Sequence, residues 1–147
     1  MNQLEEVRGV KSWKSDLPAI MCVAASIILM ALPYGVAMTF APGPDEHITL
    51  YFSYFSGMPI GYGNWLPLIT EALSILSLIL LFVDMKEDIM PVVMGCLLLV
   101  FISTIISWLV FNAFSSMGLF VLLLQFAAFV FQGIKWFSYT RQGKIEK

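Results

Sequence analysis

Residues 66–83 read LPLITEALSILSLILLFV, and after the short connection 84–88 the chain continues as IMPVVMGCLLLVFISTIISWLVF at 89–111. Each stretch is long enough to cross a hydrocarbon core of ~30 Å as a helix. The connection has room only for a turn, so the two helices must run antiparallel and pack together. Because backbone groups in lipid must be satisfied within their own segment, this pair predicts an all-α membrane protein.

Two further apolar stretches extend the pair to a predicted four-helix transmembrane bundle. The first span covers about 17–40 and the last about 117–134. The chain of 147 residues is 59% hydrophobic and 12% charged, which leaves too little polar surface for a soluble domain. We therefore predict one membrane domain, 1–147, with spans at 17–40, 66–83, 89–111 and 117–134, an outer segment at 41–65, and the lipid bilayer as its surroundings.

The positions of the basic residues predict the orientation. They lie before the first span, between the second and third, and around the end of the fourth: Arg8, Lys11, Lys14, Lys86, Lys135, Arg141, Lys144 and Lys147. The loops that are translocated to the outer side of the membrane are the ones that lack Lys and Arg. We expect both termini to be cytoplasmic in a bacterial plasma membrane. No basic patch of the kind that binds nucleic acid is present.

The outer segment 41–65 has the most room for function. Several of its apolar residues share one helical face, and these are Ile48, Tyr51, Phe52 and Phe55. This spacing favours a short interfacial helix, capped by Asp45, that lies on the outer membrane surface. A strand is the alternative for 47–56, since β-branched and aromatic residues dominate there. The glycine-rich stretch 57–63 is expected to be irregular, and Asn64 is expected to cap the second span.

One part of this segment resembles the filter of potassium channels. The stretch Ile60-Gly61-Tyr62-Gly63-Asn64, followed by Pro67 and Thr70, is similar to the signature T-V/I-G-Y-G-D-x-x-P-x-T, with Pro59 in place of its first threonine and Asn64 in place of its aspartate. The resemblance implies stacked backbone carbonyls that replace the hydration shell of an ion. The alternative is a glycine-rich turn that docks Tyr62 at the membrane interface.

A second resemblance covers more of the chain. Its residues are Leu32-Pro33, Tyr51-Phe52-Ser53-Tyr54-Phe55, Gly61-Tyr62-Gly63-Asn64-Trp65 and Pro67-Leu68. In this order they are similar to a family of small uncharacterised four-span integral membrane proteins of Gram-positive bacteria. The resemblance implies a plasma-membrane location, and it supplies no activity, ligand or site.

Polar residues within the spans are the remaining candidates. Glu71 is the only acidic or basic side chain in a predicted span, roughly 8 Å from its outer end. A carboxylate in this position could relay protons or bind a cation, or it could belong to a polar seam with Ser74 that faces other helices. Gln125 and Gln132 are seven residues apart, a spacing that keeps both against a partner helix or a second subunit.

The sequence predicts no enzyme, cofactor or metal site. His47 lies beside two carboxylates without the spacing of zinc ligands, and no nucleophile is paired with a base. We expect a non-enzymatic accessory, sensing or scaffolding subunit that presents the outer segment to a membrane protein partner, a second copy or lipid. The alternative is a small ion or proton transporter or channel component that uses Glu71 and the Gly61-Tyr62-Gly63 turn. The candidate functional residues are Glu71, Ser74, Tyr62, Gly63, Asn64, Gln125 and Gln132.

Overall fold

The computed structural model describes residues 3–43, 45–85 and 89–145, with side chains at 15–43, 45–85 and 89–138. The elements in chain order are α1 (Gln3–Ala31), β1 (Val36–Gly43), β2 (Glu46–Phe52), α2 (Met58–Gly61), α3 (Leu66–Asp84), α4 (Met90–Phe111) and α5 (Ser116–Ile145). The protein is therefore mostly helical. Its described part contains five helices and a two-stranded sheet, whereas the sequence predicted helices alone.

Three helices are long and apolar enough to cross a membrane, namely Leu66–Asp84, Met90–Phe111 and the Ser116–Ser138 part of α5. The apolar part of α1, Ser15–Ala31, is shorter. Pro67 and Pro91 lie in the first turns of α3 and α4, where a missing backbone N–H removes no intrahelical bond. These helices support the membrane class that the apolar stretches predict.

The prediction of a first span at 17–40 is wrong beyond residue 31. Helix α1 ends at Ala31, residues 32–35 form a turn, and β1 begins at Val36. Pro33 has no N–H to donate to the preceding turn and its ring clashes with the backbone of that turn, so it disfavours continuation of the helix at this point. The residues that follow, which include Val36 and Thr39, are of the β-branched type that suits a strand.

The expected interfacial helix in the first outer loop is also wrong. Strands β1 and β2 form an antiparallel hairpin in which Thr39 lies opposite Thr49 and Phe40 lies opposite Ile48. The hydroxyl oxygens of the two threonines are 3.2 Å apart. Cross-strand pairs of this type stabilise a hairpin, and they explain why the strand alternative holds over Glu46–Phe52. A short helix does occur in this segment, but it lies later, at Met58–Gly61.

The four long helices pack side by side, with α1 against α3 and α5, and α4 against the same two helices. Each buries a stripe of residues that recur every three or four positions. On α3 the stripe is Pro67, Thr70, Glu71, Ser74, Ser77, Leu81 and Asp84. This spacing is typical of helices that cross at a small angle, and it places the polar members of the stripes in the interior.

The interior has two apolar clusters, one toward each end of the helices. We call the end with the β-hairpin the hairpin end. The cluster at the hairpin end contains Met30, Val36, Tyr54, Ala113 and Val121. The cluster toward the opposite end contains Ala19, Ile20, Val23, Leu81, Val93, Leu97 and Ala128. Polar side chains lie between and beyond these clusters, and they make up most of the candidate site.

Candidate functional site

Four side chains at the end opposite the hairpin form a group that we call the Lys135 cluster: Asp16, Asp84, Gln132 and Lys135. The Lys135 Nζ lies 2.7 Å from Asp16 Oδ1 and 2.6 Å from Asp84 Oδ2. Gln132 Nε2 donates to Asp16 Oδ1 at 3.0 Å. Both aspartates are buried. One ammonium group therefore ties α1, α3 and α5 together through charge-assisted hydrogen bonds.

This cluster was not predicted from the sequence. Lys135 was counted only among the basic residues that predict the orientation, and Asp16, which lies well inside α1, was not among the candidate residues. A usable signal was present, because Lys135 continues the buried stripe of Gln125 and Gln132 on α5. Its partners come from 119 and 51 residues away, which no local pattern can reveal.

Nearer the middle of the helices lies a second group, the Gln125 layer, formed by Ser26, Ser74 and Gln125. Gln125 Nε2 donates to Ser26 Oγ at 2.5 Å and to Ser74 Oγ at 3.2 Å. Each serine hydroxyl in turn donates to a backbone carbonyl of its own helix, at Val23 and Thr70 respectively. The structure thus joins two of the sequence-predicted residues, Ser74 and Gln125, and adds Ser26 from α1.

Glu71 lies one helical turn from Ser74, toward the hairpin end. It is 5% exposed, and its Oε2 is buried with no hydrogen-bond partner among the described residues. The neighbouring Thr70 donates to Ser103 Oγ on α4 at 2.9 Å. The polar stripe of α3 therefore faces other helices, and in that stripe one carboxylate oxygen of Glu71 has no hydrogen-bond partner among the described residues.

An apolar layer separates the two polar groups. Val23, Leu81, Leu97 and Ala128 are fully buried within it. The rise of about 1.5 Å per residue puts Lys135 about 15 Å from Gln125 along α5. The Lys135 cluster and the Gln125 layer are therefore separate polar groups.

Residues 34–43 and 45–65 form a structured surface that we call the hairpin platform. Its first anchor is Tyr54, which is 3% exposed and whose backbone N–H donates to Met30 O at 3.0 Å. The Tyr54 ring packs on Gly35, where an added Cβ would lie 2.7 Å from two ring carbons. Burial raises the pKa of Tyr54 to about 12. The hairpin is thus fixed to the end of α1.

Asn64 provides the second anchor. It is 1% exposed, its Nδ2 donates to Ser107 Oγ at 3.3 Å, and its Oδ1 accepts from the Leu66 N–H at 3.3 Å. Trp65 occupies the cap position of α3, but the Asn64 side chain still satisfies one of the free N–H groups of the first turn. The platform is thereby joined to the starting turn of α3 and to α4.

The glycine-rich turn before α3 has its own hydrogen bonds. The N–H groups of Gly61, Gly63 and Asn64 donate to the carbonyls of Gly57, Ile60 and Pro59. In an ion filter, by contrast, successive carbonyls point into a pore and coordinate the ion. Gly63 has a φ of +82°, which favours glycine.

Tyr62, in the same turn, packs edge-to-face on a residue of β1. Its ring centroid lies 4.9 Å from that of Phe40, with an angle of 70° between the planes. Tyr62 nevertheless remains 59% exposed. The turn therefore holds an aromatic side chain against the hairpin and leaves much of its surface accessible.

A third anchor involves Ser115, which is not among the candidates predicted from the sequence. Its Oγ donates to Gly35 O at 2.6 Å and accepts from the Gly118 N–H at 2.8 Å. Ser115 precedes Ser116, the first residue of α5, so the second bond is that of a helix N-cap. The local signal was Ser-x-x-Gly before an apolar run, but the contact with Gly35 spans 80 residues.

The platform exposes a large apolar surface. Strand β2 is exposed along nearly its whole length. The exposed large apolar side chains of the platform are Tyr34, Ile48, Leu50, Tyr51, Phe55, Met58, Tyr62 and Trp65. Because the sheet has two strands, each strand also has an edge that no other described strand covers.

The fold and these sites define a mostly helical protein with three helices able to cross a membrane, a polar interior and an exposed hairpin. Comparison of the chain with sequence profiles of protein families, with curated proteins and with solved structures gives no match. Among the described residues, no group of three or more His, Cys, Asp or Glu side chains is placed to hold a metal ion.

Proposed function

We propose that this protein is an integral protein of a bacterial plasma membrane that serves as a non-enzymatic accessory or scaffolding subunit. Its four long helices form a transmembrane bundle with both termini in the cytoplasm. The apolar character of α3, α4 and α5 supports this arrangement, as does the lack of Lys and Arg from 15 to 85. The hairpin platform then lies outside the membrane and binds a protein partner.

The observation that carries the proposal is that the platform is both anchored and exposed. Tyr54, Asn64 and Ser115 fix it to three different helices, while β2 stays accessible. A surface that is already ordered loses less conformational entropy when it binds. A mobile loop without these anchors would be a poorer docking surface.

The chemistry of the platform favours a protein as the partner. Tyr and Trp are enriched at protein interfaces, and the platform exposes Tyr51, Tyr62 and Trp65. The free edge of β2 can pair with an extended segment of another chain. Lipid headgroups are the other surface that suits aromatic residues, and the experiment below distinguishes the two.

Site-specific photo-crosslinking in intact cells tests the proposal. A crosslinker at Leu50, which is 47% exposed on β2, should yield a discrete protein adduct. The matched position is Leu109, 80% exposed at the hairpin end of α4, which should yield lipid adducts. Tyr51→Ala should weaken the protein adduct at position 50. Lipid adducts alone at both positions would contradict binding of a protein partner.

The proposed orientation has a separate test. A cysteine introduced by Ser53→Cys should react with an impermeant thiol reagent on intact cells, and one introduced by Lys144→Cys should react only after lysis. The native cysteines Cys22 and Cys96 lie within α1 and α4, so a variant that lacks both is the proper background. The reverse labelling pattern would place the platform on the inner side.

A small ion or proton transporter is the second candidate function. The observation that favours it is the buried Glu71 carboxylate, which has an oxygen without a partner among the described residues. Flux of protons and potassium into proteoliposomes tests it, with Glu71→Gln and Gly63→Ala as variants. Flux that exceeds that of empty vesicles and is lost in Glu71→Gln would favour transport over the accessory function.

A further inference from the structure

Three buried side-chain oxygen atoms lack hydrogen-bond donors among the described residues, and two of them lie at or next to the Gln125 layer. These two are Oε2 of Glu71 on α3 and Oε1 of Gln125 on α5. Glu71 is 5% exposed and Gln125 is 1% exposed. A carboxylate oxygen and an amide oxygen can only accept hydrogen bonds, so neither can satisfy the other unless a hydrogen is added. These two acceptor oxygens therefore have no hydrogen-bond donor at this level of the interior.

The hydrogen bonds of the Gln125 layer determine which way the amide points. Gln125 Nε2 donates to Ser26 Oγ and Ser74 Oγ, and both hydroxyls already donate to backbone carbonyls. In this arrangement the amide oxygen points away from the two serines and has no hydrogen-bond donor among the described residues.

Glu71 is the group that can supply this donor. It lies on the buried stripe of α3, one turn from Ser74, and residues three apart on a helix are neighbours on its surface. Since Ser74 itself contacts the Gln125 amide, the carboxyl of Glu71 and the amide of Gln125 lie at adjacent levels of the interior. A protonated carboxyl has one O–H to donate.

Among the side chains that the structure describes, no cation is placed to stabilise an ionised Glu71. Lys135 is the one Lys or Arg whose side chain the structure describes, and it is bonded to Asp16 and Asp84. Asp84 lies about 20 Å from Glu71 along α3. A buried carboxylate without a counter-charge is strongly disfavoured relative to its protonated form.

The other helices offer only weak acids or neutral groups on this side. Helix α1 contributes Ser26 and, farther from the hairpin end, Cys22, while α4 contributes Ser103 and Cys96. The Cys96 thiol donates to Leu73 O at 3.5 Å. The Tyr54 phenol belongs to the apolar cluster at the hairpin end. None of these groups carries a positive charge that would hold Glu71 ionised.

We propose that Glu71 and Gln125 form a proton-binding site inside the helical assembly. Glu71 binds the proton, and its O–H donates to Gln125 Oε1 directly or through one water molecule. Loss of the proton leaves a carboxylate facing an amide oxygen, so the interior must rearrange around α3 and α5. The proton site is independent of what the hairpin platform binds, because it uses different residues in a different part of the protein.

Infrared spectroscopy of the full chain in lipid tests the proposal through the carbonyl band of a protonated carboxylic acid. At neutral pH the wild type should show such a band, Glu71→Gln should lack it, and Gln125→Leu should shift its frequency. The matched control is Gln132→Leu, which removes the other buried glutamine with an unpartnered oxygen and should leave the band of Glu71 unchanged. A Glu71 carboxylate band at neutral pH, or a band indifferent to Gln125→Leu, would overturn the proposal.

Thermal unfolding gives a second readout that does not depend on the infrared assignment. Glu71→Gln mimics the protonated side chain, so it should fold. The wild type should lose folding stability as pH rises from the range in which Glu titrates in the unfolded chain to the range in which Glu71 releases its proton. Glu71→Gln should lack this loss. A wild type whose stability follows sodium or potassium concentration and not pH would show that a monovalent cation occupies the site. That result would overturn proton binding.

Discussion

Lys135 and Asp84 come from different helices, and the ammonium nitrogen of the first lies 2.6 Å from a carboxylate oxygen of the second while Asp16 approaches the same nitrogen from α1. Lys135→Met would leave two buried carboxylates without their cation. Removal of one partner from a buried charge pair typically costs about 3–5 kcal/mol of unfolding free energy. We expect a loss of this order in detergent unfolding experiments.

The control for this prediction restores neutrality. Combining Lys135→Met with Asp16→Asn and Asp84→Asn removes the uncompensated charge, so the triple variant should recover much of the lost stability. If Lys135→Met alone were as stable as the wild type, the Lys135 cluster would not hold the three helices together.

Gly35→Ala should loosen the hairpin platform. Its Cβ would lie 2.7 Å from two ring carbons of Tyr54, and a buried ring can move only by giving up its packing. Overpacking of this kind typically costs about 1–3 kcal/mol. Limited proteolysis of the hairpin should therefore accelerate. Gly61→Ala is the matched control, because nothing lies within 4 Å of its added Cβ, and it should cleave at the wild-type rate.

Gly63→Ala should strain the turn before α3. The φ of +82° at Gly63 is costly for a residue with a Cβ, by roughly 1–2 kcal/mol. Gly57 has a φ of −72° and open space around its Cβ position, so Gly57→Ala should be neutral by comparison. Thermal unfolding of both variants measures the difference. Equal melting temperatures would show that the left-handed turn is not required.

Stability should fall at alkaline pH because of Tyr54. Its pKa is about 12 in the folded protein, whereas a phenol in an unfolded chain titrates near 10. Between these values the folded state keeps the proton and the unfolded state loses it, so folding stability decreases as pH rises above about 10. Tyr54→Phe should reduce this decrease, and Tyr51→Phe, at an exposed position, should not. Absorbance of tyrosinate during a pH titration gives an independent check.

The long apolar helices could be predicted from the sequence because their signal is local. Apolar runs with proline in the first turn mark the starts of α3 and α4, and these helices begin at Leu66 and Met90. The hairpin could not be assigned in the same way. Ile48 and Tyr51 fit a helical face as well as a strand, and the pairing that decides between them is with β1.

The candidate site was only partly predictable for the same reason. The seven-residue spacing identified Gln125 and Gln132 as interior residues, but their partners, Ser26 and Asp16, lie 99 and 116 residues away. Asp16 and Lys135 lie just outside the predicted spans, where charged residues normally face water. Their burial depends on how three helices meet, and this is a property of the tertiary structure alone.

The bond between Ser115 and Gly35 has a mechanical consequence. Ser115 also caps α5, so a force that displaces the hairpin would pull on the first turn of a stiff helix. Along α5, Lys135 lies about 30 Å from Ser115, at the end of the protein opposite the hairpin. Displacement of the hairpin would thus be transmitted along α5 toward the Lys135 cluster.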